Sequence, residues 1–184
     1  MEIPYTLVRS DRKTLSLQIK SDGTLVVRCP RRYPSQEVQR FVESKSSWIL
    51  RNLQKLAAVR QVPPLGDEEL EDLRRKAKEV FPRRAAFYAP KVGVDYGTIT
   101  VRCQKSRWGS CSSQGNLNFN LLLMLAPLEV LDYVVVHELC HRKEMNHSPA
   151  FWHQVERVLP DYRVRKQWLK NNGGAILARR FSNE

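Results

Sequence analysis

The stretch from Pro127 to Cys140 narrows most sharply what this chain can become. Leu128, Val130, Leu131, Val134, Val135, Val136 and Leu139 leave only a narrow polar strip at Glu129, Asp132 and Lys143. A helix that is apolar nearly all round has to be buried, so a domain must close around it. The same stretch carries His137 and Glu138 and is followed at once by His141. Burying two imidazoles and a carboxyl without partners would cost several kcal/mol. Residues four apart on a helix differ by roughly 40° in azimuth, so His137 and His141 project together. Two imidazoles placed that way can fill two corners of a zinc tetrahedron, and a metal there removes the burial cost. Glu138 lies roughly 100° around from His137, within reach of a water at the metal without ligating the metal itself.

A third ligand requires the chain to turn back. All four histidines lie between 137 and 153, and the spacing is His137-Glu138-x-x-His141-x5-His147. The first helix is expected to end near Glu144, and Ser148-Pro149 reads as the N-cap and first residue of the next. His147 then falls in the connection, with Asn146 in a left-handed conformation to bring it under the metal. Three histidines leave a fourth position for water, the catalytic arrangement and not the structural one. His153 falls opposite the apolar face of Phe151, Trp152, Val155, Val158 and Leu159, and is expected in solvent. Cys140 is turned away from the histidine face and reads as packing.

Leu15, Leu17 and Ile19 alternate with polar residues, Ser21-Asp22-Gly23 is a turn, and Thr24–Cys29 returns, so the chain opens with a β-hairpin. Ser35 caps one helix with Val38, Phe41, Val42, Trp48, Ile49 and Leu56 on its apolar positions. Val62-Pro63-Pro64-Leu65-Gly66 is a break. A charged helix follows from about Asp67 to Tyr88, ended or kinked by Pro82. Thr98–Cys103 reads as a strand and Ser106–Ser110 as a loop. Asn116–Leu123 reads as a strand with Asn116, Asn118 and Asn120 on one face. The division expected is an N-terminal hairpin plus helix over 1–60, a catalytic domain over 67–172, and a basic tail over 173–184. Strands come early and in the middle and helices at the end, an α+β order with a small, mostly antiparallel sheet.

The net charge of +12 at a pI near 9.9 fits either a solvated basic surface or attraction to nucleic acid. No basic n-region precedes an apolar core at the N-terminus, and the longest apolar run, Leu121–Ala126, is too short for a bilayer. Four cysteines without CxxC spacing read as reduced thiols, so a cytoplasmic protein without membrane association is expected.

Three longer motifs carry a resemblance: Lys105-Ser106-Arg107-Trp108-Gly109-Ser110-Cys111-Ser112, Tyr133 through His141, and Asn146-His147-Ser148-Pro149-Ala150-Phe151-Trp152. With these the chain resembles the YgjP-like metallopeptidases, relatives of the SprT-like and WLM zinc proteases, over nearly its whole length. The resemblance implies a compact zincin-like fold whose active-site helix carries HExxH. It also implies one Zn²⁺ per chain, His137, His141 and His147 as ligands, and Glu138 as general base. Its substrate would be a protein or peptide. SprT-like enzymes act on DNA-bound proteins, a setting the basic charge would suit. Metzincins share the histidine spacing but have Gly at the place of Glu144, and no Met-turn is recognisable here.

Residues expected at the substrate are Asn118 and Asn120, on a strand edge that a peptide could extend, with Trp108 and Arg107 lining the cleft. Tyr162 and Arg107 are candidates for steadying the oxyanion. The YbeY-type endoribonucleases share the three-histidine spacing but lack a glutamate at the place of Glu138. A deformylase-like site would use Cys111 in place of His147. A non-catalytic, zinc-stabilised nucleic-acid-binding module would keep zinc without needing Glu138.

Overall fold

A computed structural model describes residues 3–20, 22–60 and 63–181, without the side chains of 55 and 58–60. Ser21 of the expected turn, Val62 of the expected break and the last three residues of the expected tail lie outside the described residues. The chain divides into two compact units, 1–63 and 64–184.

In the first unit, β1 (Thr6–Ser10), β2 (Ser16–Ile19) and β3 (Leu25–Pro30) form a sheet in the order β1-β3-β2. The β2–β3 pair is the expected hairpin, while β1 runs parallel to β3. Leu25, Val27 and Cys29 alternate onto one face and pack with Val38, Val42 and Ile49. The single helix expected from Ser35 is two, α1 (Ser35–Ser44) and α2 (Ser46–Arg60). Its interruption has a local cause. The Ser44 hydroxyl takes the Phe41 carbonyl at 2.7 Å, a side-chain bond that competes with helix continuation.

The second unit opens with α3 (Asp67–Val92). Asp67, Glu68 and Glu69 complement the dipole at its start, and Gly93, at φ 78°, closes it in the left-handed conformation. Pro82 does not end this helix, and neither does Pro90. Both stand exposed, where water can satisfy the carbonyls they orphan. The buried stripe Leu70, Leu73, Ala77, Phe81, Ala85, Ala89 and Val92 holds the helix through them.

Next come β4 (Ile99–Arg102), β5 (Gly109–Cys111) and β6 (Leu117–Asn120), in the order β4-β6-β5. β4 is parallel and β5 antiparallel to β6. Both sheets are therefore mixed, not mostly antiparallel: in each, the third strand inserts between the first two, which run in opposite directions, and so lies parallel to one of them. Leu121–Leu125 forms a 3₁₀ turn, followed by α4 (Leu128–Cys140), α5 (Pro149–Val158) and α6 (Tyr162–Phe181). The architecture is α+β, as the order of strands and helices led one to expect. The core lies between α3, α4 and the sheet, where Phe81 stacks on Phe119 at 4.5 Å.

The tail expected from residue 173 is instead the last part of α6. Gly173 brings α6 against Trp108, since a Cβ there would lie 2.8 Å from the indole. α4 is buried from Val130 to Val136, including Asp132, which the wheel had put on a polar strip. Asp132 accepts two bonds from the Arg84 guanidinium, both at 2.6 Å, and one from the Tyr88 hydroxyl at 3.0 Å. Burying that carboxylate is possible because α3 supplies both partners.

Candidate active site

α4 delivers three residues to one place. His137 and His141 stand one turn apart with ring centroids 4.9 Å from each other. His141 is the C-cap residue and keeps right-handed helical geometry, which preserves the azimuth of the motif. Its Nδ1 lies 3.0 Å from the Glu144 carbonyl. With Nδ1–H donating there, Nε2 is left as a free lone pair.

His147 arrives as expected from the connection to α5, but not through a left-handed Asn146: no described non-glycine residue has positive φ. The Asn146 Oδ1 accepts from Ser148 N at 3.2 Å, and the Ser148 hydroxyl caps α5 through Phe151 N at 3.3 Å. These side-chain bonds turn the backbone without strain. His147 Nε2 comes to 3.0 Å from His137 Nε2. Buried Phe151 supports all three rings, its centroid 4.6–4.8 Å from each.

One ring nitrogen from each histidine falls within 4.8 Å of the others. Ligand atoms of a tetrahedral ion with bonds of about 2 Å lie about 3.3 Å apart, close to the 3.0 Å between the Nε2 atoms of His137 and His147, so the group has to draw in only a little around an ion. The Nε2 atoms of His137 and His147 converge on one point, as imidazole ligands do. Burial first, then the neighbouring charges of His141, His147 and Lys166, hold His137 down to about 3. His141 is lowered too, chiefly by burial. Neutral imidazole is the metal-binding form, so these residues fit a divalent ion.

Glu138 is 6% exposed, and burial pushes its carboxyl up to about 8. It lies directly against β5, because a Cβ on Gly109 would sit 2.7 Å from Glu138 Oε1 and 2.8 Å from its Cγ. Gly109→Ala is therefore expected to cost about 1–3 kcal/mol by overpacking. The same substitution should cost almost nothing in a Glu138→Ala background. Urea unfolding of both pairs measures the difference.

The residues expected at the substrate separate. β6 is the central strand, paired on both sides, so it offers no edge to a peptide. Asn120 is fully buried. Its amide donates to the Gln104 and Arg107 carbonyls at 2.8 and 2.9 Å, while its oxygen caps Leu122 N. It holds the loop in place and has no capacity left for substrate. Trp108 packs toward Gly173. Asn118 donates to the Ser110 hydroxyl at 3.3 Å, and Arg107 is exposed. Tyr162 is 6% exposed and stacks on Trp152. Cys111 is not in the histidine group, and its thiol is raised by burial and by Glu138. Cys140 is buried, its thiol pushed up to about 12, as suits packing. His153 is exposed. The sequence reading missed Gly109, which it placed in a loop and which is the first residue of β5.

The family model for the YgjP-like metallopeptidase domain matches residues 13–72 and 67–172. The chain belongs to the YgjP-like metallopeptidases. A metallopeptidase of this family acts on protein or peptide substrates with a metal ion, and the three-histidine group is able to hold one. No curated protein matches this YgjP-like chain. Among solved structures it is similar to the crystal structure of the metallopeptidase zymogen of Pyrococcus abyssi abylysin. That match has a TM-score of 0.45 and 20% identity, over 50% of this chain and 93% of that one. No helix among the described residues is long and apolar enough to cross a membrane.

Proposed function

We propose that this metallopeptidase is a zinc-dependent endopeptidase, with His137, His141 and His147 holding one Zn²⁺ and Glu138 as general base. The observation that carries the reading is the convergence of three imidazole nitrogens within 4.8 Å, next to a buried carboxyl on the same helix. When bound, zinc lowers the pKa of its water to around 7 and polarises the scissile carbonyl. Glu138 takes the proton of the attacking water and hands it to the leaving amine. Its place against Gly109 keeps the carboxyl at one position between the two transfers. Its burial favours the protonated form it must hold between them.

The substrate chain lies along β5. That strand pairs only with β6 among the described residues, so its outer edge is free beside Glu138. Main-chain pairing there takes extended peptides with little sequence demand, and an open edge admits an internal segment of a chain. Arg107 stands exposed just ahead of β5 and Asn118 orients its Ser110 hydroxyl, which keeps both as substrate-side residues. Cys29, Cys111 and Cys140 are thiols outside any disulfide, which suits a reducing compartment such as the cytoplasm.

The test is zinc content together with cleavage of casein, with and without a chelator, and with and without DNA or RNA. One zinc per chain, cleavage abolished by the chelator and restored by zinc, is the expected result. Stimulation by nucleic acid would give the +12 charge a role in bringing substrate. Stoichiometric zinc with no cleavage under any condition overturns the enzyme reading in favour of a zinc-stabilised binding module.

A further inference from the structure

The rim of the histidine group holds a cation with no acid partner among the described residues. The Trp152 ring lies against the His147 imidazole at 5.7 Å and 27°, and Tyr162 stacks on it at 5.5 Å. The Lys166 ammonium sits 3.8 Å from the centre of the same indole. Lys166, on α6, is thus docked one ring away from the histidine group, and its charge is felt at His137.

This is an unfavourable place for a cation. Three neutral imidazoles offer it no counter-charge, and a bound divalent ion would repel it. The acids nearest to Lys166 in the chain are already engaged: Glu156 with Arg163 at 3.4 Å and Asp161 with Arg165 at 2.9 Å. From Tyr162 to Phe181, α6 contains six Lys or Arg and no Asp or Glu. The aromatic face partly compensates the ammonium and fixes its stem, and Lys166 as a residue stays exposed. A peptide backbone crossing the metal brings no charge of its own. A carboxylate is the substrate group that such an ammonium would select.

We propose that Lys166, seated on Trp152, forms a subsite that recognises a substrate carboxylate close to the scissile bond. The proposal rests on the reading of the histidine group as a peptidase centre. The carboxylate has two sources, an Asp or Glu side chain or the free C-terminus of a peptide.

The experiment uses zinc-loaded full-length protein and a matched set of fluorogenic peptides carrying an internal Glu, its Gln counterpart, a free C-terminus, or a C-terminal amide. The wild type should cleave one acid member faster than its neutral counterpart by roughly five- to tenfold in kcat/KM, mostly through KM. The acid member that is preferred identifies the source. Lys166→Met keeps the stem on the ring and should bring the ratio to about one, while Lys166→Arg should retain it. Lys170→Met removes the same charge one turn further along α6 and should leave the ratio in place. The same peptides are titrated by fluorescence anisotropy against zinc-loaded Glu138→Gln, with and without Lys166→Met, so that binding is read without turnover. A wild type without acid preference, a preference that survives Lys166→Met, or equal loss in Lys170→Met overturns the subsite. If the wild type cleaves no peptide, the peptidase reading fails, and the acid-over-neutral ratio in binding still decides for or against Lys166.

Discussion

Glu138→Gln is expected to lower kcat/KM for peptide cleavage by about 10²–10⁴ while one zinc per chain stays bound. The amide is nearly isosteric with the carboxyl and fits the same space against Gly109, but it cannot accept a proton from water. The carboxyl is buried to 6% exposure, and burial alone raises it to about 8. In the metal-free protein, replacing it with a neutral group of the same size therefore removes a desolvation penalty, so the metal-free variant should unfold no more easily than the metal-free wild type. Zinc analysis, chemical unfolding and peptide kinetics on one preparation separate these effects. A variant that keeps zinc and full activity would remove Glu138 from the mechanism. Ribonuclease activity unchanged by the substitution would move the protein to the three-histidine endoribonuclease reading.

Asp132→Ala is expected to destabilise the second unit by about 3 kcal/mol, through a buried ion pair broken on one side. The Asp132 side chain is 7% exposed and that of Arg84 is 25%. The guanidinium retains some water, which keeps the loss at the lower end for such pairs. Tyr88 would also lose the acceptor of its hydroxyl. The double change Asp132→Leu with Arg84→Met should recover most of that loss, because an apolar pair carries no desolvation cost. Thermal unfolding of the three proteins measures this, at about 2–4 °C per kcal/mol for a chain of this size. A drop under 1 kcal/mol for Asp132→Ala would mean that the clamp between α3 and α4 carries little of the stability.

What was legible in the sequence is what local periodicity and spacing determine. The two imidazoles of α4 had to share a face because four residues make nearly one turn. The helix had to be buried because it is apolar all round. Ser148-Pro149 had to begin a new helix because an N-cap hydroxyl precedes a residue without an N–H. These constraints placed His147 beside the pair before any tertiary contact was known, and the α+β order followed from where the strands and helices fall.

Other features depended on partners distant in the chain. Leu117–Asn120 reads equally well as an edge or a central strand, since alternation reports which face is buried and not who pairs on either side; only the tertiary structure put β6 in the middle and β5, with Gly109 against Glu138, on the outside. Asn120 looked like a substrate residue because an exposed amide and a buried, fully bonded one are the same letter. The Asp132–Arg84 clamp spans 48 residues, the contact of Gly109 with Glu138 spans two elements, and Lys166 is linked to the histidine group through Trp152. No rule of spacing connects such residues. Their meeting is decided by how α3, α4, α6 and the sheet pack, and packing sums many weak long-range contacts that local sequence does not encode.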